Sequence, residues 1–312
     1  MHHVALIVHP HFQSMCLSLG SVFECANLLR GEAAYRFSLV SQSGGLVMSS
    51  EGFAVETQPM QSGAYDTLII SGFLEVETPP PGLLHCLAKA AADSRRVAAL
   101  CTGIFVLAEA GLLAGRRATT HWLHAPAFNK RYPDIALEDN RLFVVDGQVW
   151  TGAGMSAGTD MALAMVENDL GRDLARQVAH KLVMSERRSG EHPQCSALLA
   201  LEPRSDRIQL ALAYARENLR SNLSVEALAE VARLSPRQFS RVFREQTGET
   251  PAKGVEKLRV EAARVLLETS HHPLEVIAHE TGFGDRERLR QAFLRAFGKA
   301  PQALRKGAAA SV

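Results

Sequence analysis

What the chain lacks narrows it first. It has no run of ~20 predominantly apolar residues of the kind a membrane-spanning helix needs. The longest candidate, Val97 to Gly115, contains Glu109, is broken by Gly103 and Gly111, and is flanked by Arg95, Arg96, Arg116 and Arg117. The opening MHHVALIVHP lacks the basic start and small-residue cleavage site of a secretory signal, so the chain is expected in the cytoplasm with no membrane partner. The five cysteines (Cys16, Cys25, Cys86, Cys101, Cys195) are odd in number and irregularly spaced, which reads as free thiols rather than a disulfide framework. None stands at zinc-ligand spacing from a neighbouring Cys or His, and the twelve histidines form no His-Glu-x-x-His cluster, so no metal is expected.

What is present divides in two. At ~150 residues per domain, 312 residues suggest two domains. From Val4 to about Ser185, apolar runs (VALIVH, RFSLVS, TLIISG, RVAAL) alternate with helical patterns (LLHCLAKAAAD, IFVLAEAGLL, DMALAMVENDLG). That alternation predicts an α/β domain with a mainly parallel sheet over residues 1–185. The polar stretch SERRSGEHPQ, broken by Gly190 and Pro193, marks a linker over 186–205. After Pro203 no strand signal returns, and residues 206–306 read as helical, with a tail at 307–312. The net charge of +1 hides an asymmetry: Arg207 to Val312 carries 18 Lys+Arg against 12 Asp+Glu, and the remainder 16 against 21. A polyanion is therefore expected at the C-terminal end.

That end contains an internal repeat. LAEVARLSPRQFSRVFREQTGETP (228–251) matches IAHETGFGDRERLRQAFLRAFGKAP (277–301), pairing Ala229 with Ala278, Phe239 with Leu289, Phe243 with Phe293 and Gly248 with Gly298. One extra residue sits in the second turn. Each copy predicts a helix-turn-helix, at about 224–246 and 273–297, with Ser235-Pro236 and Asp285 capping the second helices. At 100° per residue Phe239, Val242 and Phe243 share one face, while Arg237, Arg241 and Arg244 cluster on the opposite one. Arginine forks on an exposed second helix are suited to guanine edges or phosphates in a major groove. The carried-over stripe in the second copy is Glu287, Gln291 and Leu294.

The pattern from Asp206 to Lys306 resembles the AraC-type DNA-binding domain, two helix-turn-helix units joined by a long helix. The resemblance implies double-stranded promoter DNA as a partner, and RNA polymerase if the protein activates. It implies contacts from Arg237, Gln238, Ser240, Arg241 and Arg244 in the first unit. In the second they would come from Arg286, Glu287, Arg288, Arg290, Gln291 and Arg295.

The stretch ALCTG ends a strand on Cys101 and opens a helix, as a nucleophile elbow does. A cysteine there has a lowered pKa if an imidazole lies nearby. His121 is the candidate base and Glu24 the candidate acid. With GLLAGRRATTHW and WTGAGMSAGTDMALAMVENDLG, these residues resemble the PfpI-like, class I glutamine-amidotransferase-like domain, in the version fused ahead of an AraC-type domain (the GlxA-type regulators). The resemblance implies a flavodoxin-like α/β sandwich, a homodimer, and a pocket at the elbow that senses a small metabolite, often an amino acid or amine derivative. The pocket candidates are Glu24, Gly72, Cys101, His121 and Trp122. Three departures weaken catalysis: Thr102 stands where proteolytic relatives have His, Gly72-Phe73 replaces a Gly-Gly that supplies an oxyanion-hole amide, and CLSLGS replaces Asp-Leu-Ala-Gly-Pro.

GAGMSA (152–157) satisfies G-x-G-x-x-G/A, but a dinucleotide site needs a following strand, and GRDLARQVAHKLVM reads as helix. No cofactor is expected; the glycines are read as letting the turn approach the elbow. Trp122 and Trp150 either pack or form an aromatic wall for a cationic ligand. The sequence is thus read as a ligand-responsive DNA-binding transcriptional regulator and not an enzyme. The alternative is a cysteine-dependent hydrolase or amidase with an attached DNA-binding module.

Overall fold

The run VALIVH buries alternate side chains on opposite faces, Val4 and Leu6 into one core and Ala5 and Ile7 into another. A strand apolar on both faces belongs inside a sheet covered by helices on both sides. That is the arrangement in the computed structural model, which describes residues 1–63, 65–76, 78–184, 187–194, 205–270 and 272–303. The chain forms two compact units, divided between Gln194 and Cys195.

The first unit is built on an eight-stranded sheet. Its strands are β1 (His2–Ile7), β2 (Tyr35–Ser41), β3 (Gly45–Met48), β4 (Ala54–Pro59), β5 (Thr67–Ile70), β6 (Arg96–Leu100), β9 (Phe143–Asp146) and β10 (Val149–Gly152), in the order β3-β4-β2-β1-β5-β6-β10-β9. The six inner strands are parallel; β3 and β9 pair antiparallel at the two edges. Helices α1 (Leu19–Arg30), α5 (Met155–Leu170) and α6 (Arg172–Lys181) cover one face, and α2 (Pro81–Ala92), α3 (Gly103–Glu109) and α4 (Ala125–Arg131) the other. Short strands β7 (Arg117–Ala118) and β8 (Ala136–Leu137) form a separate pair. The expected flavodoxin-like α/β sandwich is therefore present. Its third helix is shorter than the apolar pattern suggested: α3 stops at Glu109 because Gly111 turns left-handed, although Leu113 remains buried beyond it.

The expected linker is displaced. Residues 187–194 are tied to the first unit: Arg187 pairs with Glu167, Arg188 clasps the fully buried Asp160 at 2.7 Å, and the carbonyls of Gly190 and His192 accept the Leu142 N–H. Polar residues marked a linker by composition, yet their partners sit on α5 and beside β9. The remaining linker positions, 195–204, and the expected tail at 307–312 lie outside the described residues.

In the second unit α7 (Asp206–Glu217), α8 (Val225–Val231) and α9 (Pro236–Thr247) enclose one core around Phe239 and Phe243. A second core, around Leu289 and Phe293, lies between α11 (Leu274–Glu280) and α12 (Arg286–Phe297). The connecting helix α10 (Pro251–Thr269) gives Val255 and Leu258 to the first core and Val260, Ala263 and Leu267 to the second. The predicted caps form. Ser235 and Gln238 make a reciprocal capping box with Pro236 at the first position, Asp285 accepts the Arg288 N–H at 2.8 Å, and Gly248 and Gly298 close both helices left-handed. Gly282 fills a demand no other residue meets. Its φ is +77°, and a Cβ there would lie 1.9 Å from the Leu219 carbonyl oxygen.

Candidate functional site

Cys101 ends β6 with φ +52°, a left-handed conformation that costs a side-chain-bearing residue ~1 kcal/mol or more and persists only where its surroundings over-determine it. They do so here. Its N–H donates to the Gly152 carbonyl at 2.8 Å, and its carbonyl accepts the Thr120 hydroxyl at 2.8 Å. Gly103 follows because a Cβ would stand 2.7 Å from the Ser71 carbonyl oxygen. The predicted elbow is present.

Its thiol does not have the lowered pKa that an imidazole partner would give it. Burial pushes the Cys101 thiol up, and the opposing hydrogen bonds from Thr102 do not reverse it. Thr102, fully buried, accepts the Phe73 N–H at 2.8 Å and donates to the Phe73 carbonyl at 2.7 Å. The residue in the place of the relatives' histidine therefore locks the Gly72-Phe73 turn, and the Phe73 amide is already engaged. His121 lies beside the GAGMSA turn, its Cδ2 3.5 Å from where a Gly154 Cβ would be. Its Nδ1 accepts the Leu123 N–H at 3.2 Å, and burial lowers its pKa. Among the described residues no hydrogen bond joins the His121 ring to the Cys101 thiol, and no carboxylate orients that ring.

Glu24 stands on the exposed side of α1, outside its buried face. Leu19, Val22, Phe23 and Ala26 bury the inner face of α1, which leaves Glu24 exposed, and the first turn of α1 carries no acid. The i, i+3, i+4, i+7 spacing of those apolar residues already contained that answer. Gly72 is buried next to the elbow, its carbonyl accepting the Gln13 N–H at 2.9 Å. Trp122 is half exposed on the same turn as His121, whereas Trp150 is buried under the Arg96 guanidinium, 4.9 Å from its ring centroid. The two tryptophans therefore share no wall: Trp150 packs. The motif GAGMSA serves the elbow through Gly152 and Gly154, and the helix α6 follows α5 where a dinucleotide site needs a strand. Sequence reasoning missed Ser71, whose buried hydroxyl has no hydrogen-bond partner among the described residues, and Gln194, whose side chain bonds to the Thr120–Trp122 turn. Neither has a motif to announce it.

The second candidate surface is the exposed face of the two recognition helices. On α9, Phe239 and Phe243 are buried and Val242 is half-buried, while Arg237, Arg241 and Arg244 stand exposed. Arg241 pairs with Glu245 at 3.1 Å; Arg237 and Arg244 have no ion pair among the described residues. Ser240 is half-buried, and together with Arg241, Arg244 and Thr250 it lines an open groove of about 710 Å³. Gln238 is exposed, but its side-chain oxygen is held by the Ser235 N–H and hydroxyl. On α12 the pattern changes. Arg290 binds Glu287 through two hydrogen bonds of 2.7 and 2.8 Å, Gln291 donates to Glu287 at 2.9 Å, Arg286 pairs with Glu275, Arg288 with Asp285, and Arg295 with Glu256. Hydrogen bonds from Arg290 and Gln291 hold the Glu287 carboxyl down to about 2.

No helix among the described residues is long and apolar enough to cross a membrane, and no cluster of three or more His, Cys, Asp or Glu residues there has metal-ligand geometry.

Comparison with known proteins agrees with this geometry. Residues 3–168 match the DJ-1/PfpI family, and residues 228–307 match a helix-turn-helix domain. The chain is 31% identical over 299 residues to the HTH-type transcriptional regulator GlxA of Rhizobium meliloti, covering 90% of this chain and 88% of that protein. It is 42% identical to isonitrile hydratase of Pseudomonas putida, but over 93 residues only, 30% of this chain and 39% of the enzyme. In fold the first unit is similar to an AraC family transcriptional regulator from Pseudomonas putida, with a TM-score of 0.54 at 24% identity, covering 58% of this chain and 100% of that one. An enzyme is thus matched over a fragment and a regulator over nearly the whole length. The chain belongs to the DJ-1/PfpI family, among the transcriptional regulators in which that domain is joined to an AraC-type helix-turn-helix domain.

Proposed function

We propose that this regulator binds promoter DNA sequence-specifically through α9 and α12 and is controlled by a small metabolite at the elbow of its first unit. The observation that carries the reading is the exposed arginine stripe of Arg237, Arg241 and Arg244 on a capped recognition helix within a duplicated unit. Gly72, Cys101 and His121 are the elbow residues proposed to meet the effector, with Trp122 at its rim; Glu24 has no part. The effector class is an amino acid or amine derivative, the protein works as a homodimer in the cytoplasm, and it recruits RNA polymerase if it activates.

The reading takes the elbow as non-catalytic. What supports this is a thiol whose pKa burial raises, a Phe73 amide engaged by Thr102, and a histidine with no orienting carboxylate among the described residues. Thermal shifts of the full chain with a panel of amino acids and quaternary amines test the effector. A ligand that binds only the native state raises its stability by RT ln(1 + [L]/Kd), and Cys101→Ala and His121→Ala should abolish the rise. A normal rise in both variants places the effector elsewhere. Turnover of amide or ester substrates by the wild type but not by Cys101→Ser would establish the hydrolase reading instead.

A further inference from the structure

The last residue of the first unit is bonded to the wall of the elbow. The half-buried Gln194 donates from Nε2 to the Thr120 carbonyl at 2.7 Å, the Asp139 carbonyl at 2.9 Å and the Thr119 hydroxyl at 3.3 Å. Its Oε1 accepts the Trp122 N–H at 2.8 Å, and its own N–H donates to Asn140 at 3.2 Å. A primary amide presents two donors and an acceptor on one plane, and here they are used on the 119–122 turn and on the Asp139 carbonyl. That turn carries His121 and Trp122, and Thr120 within it donates its hydroxyl to the Cys101 carbonyl. Seven residues upstream the same segment is clasped to α5 by Arg187–Glu167, followed by Arg188–Asp160. Downstream, the chain runs into the second unit.

We propose that Gln194 is a positioning residue that couples the elbow to the second unit: it sets the His121–Trp122 turn, and the residue doing so is the one from which the chain leaves for the DNA-binding unit. An effector that displaces the turn then acts on the start of the connection, and by reciprocity DNA bound to the second unit acts on the turn. This rests on the effector reading of the elbow, but its test needs no effector.

The experiment is amide hydrogen exchange on the full chain, with and without a random-sequence DNA duplex, for wild type, Gln194→Ala and Gln194→Glu. Gln194→Ala removes the acceptor of the Trp122 amide, and its exchange should rise about tenfold, the loss of one partly buried hydrogen bond. In the wild type, saturating duplex should change exchange across residues 119–122 by about threefold or more, within the usual range of coupling between sites. In both variants that DNA-dependent change should vanish, while affinity for the duplex stays within about twofold of wild type, because the recognition helices are untouched. A merely structural glutamine would alter thermal stability and basal exchange and leave the DNA-dependent change intact. Gln194→Glu keeps the acceptor for Trp122 and lacks both donors, so it carries the test alone if the alanine variant fails to fold. A wild-type turn that ignores DNA, or a response that persists in the variants, overturns the proposal. A duplex that does not bind at all overturns the DNA-binding reading beneath it.

Discussion

In the first helix-turn-helix unit α9 exposes three arginines, two of them without an ion-pair partner among the described residues. In the second, each of the four arginines of α12 is paired. The cores behind these faces barely differ: Phe239 and Phe243 stand where Leu289 and Phe293 do, all with 1% exposure or less, and both helices begin at a side-chain cap and end on a left-handed glycine. Folding constrains the buried half of each copy, since a volume change there costs packing and a lost cap costs ~1 kcal/mol. It leaves the outer half free to diverge. The two units thus share a scaffold and present different surfaces, a cationic stripe paired at Arg241 alone among the described residues on one and an internally paired network on the other.

The sharpest way to break the comparison is at the turns. Arg233, with φ +52°, occupies the place in the first turn that Gly282 fills in the second. Gly282→Ala should destabilise the second unit by more than ~3 kcal/mol, through backbone collision with Leu219 added to left-handed strain, seen as a fall in Tm. Arg233→Gly should be within about 1 kcal/mol of neutral, because relief of strain offsets the entropy of glycine. Equal losses at both positions would refute the difference between the turns.

Next in size is DNA affinity. Arg237→Ala or Arg244→Ala should cost roughly 1–3 kcal/mol on a specific site and less on random DNA. Arg290→Ala should cost less than either, because its guanidinium must first leave Glu287. Titrations by fluorescence anisotropy at fixed salt decide this, and a larger loss for Arg290→Ala inverts the assignment. A smaller effect sharpens it. Glu287→Gln frees Arg290 and should tighten binding by up to about fivefold, within the worth of an exposed ion pair. Unchanged or weakened binding would show that the carboxylate itself meets a base.

The smallest effect is a titration. A carboxylate whose folded pKa lies below its unfolded value of ~4.3 contributes stability that is complete above that value and is lost as pH falls through the folded one. Glu287 should therefore titrate with a midpoint of about 2 by carbon-detected NMR, and α12 should keep its pairing at pH 4. A midpoint near the ordinary carboxylate value would mean that the network is open and the second stripe as available as the first.

Much of this was legible in the chain. Periodicity located the parallel strands, because side chains buried on two faces must be apolar throughout. The repeat located both helix-turn-helix units, their caps and the buried phenylalanines, because those depend on residues three to seven positions apart. The elbow at Cys101 was legible for the same reason, a short run from strand to Gly103.

What depended on distant partners was not. The thiol pKa turned on burial, and the Phe73 amide is engaged by Thr102, 29 positions away. The polar stretch ending at Gln194 looked like a linker until Asp160, Thr120 and Asp139 were placed beside it. The arginines of α12 looked as free as those of α9; Arg295 is paired with Glu256, 39 positions away, and only the packing of α12 against α10 puts them together. Sequence by itself determined the elements, their caps and the family, since these follow from local spacing and composition. Which polar groups are satisfied, and so which remain available to a ligand or to DNA, was decided by the tertiary structure, because hydrogen bonds and ion pairs act over about 3 Å and only folding brings such residues within that reach.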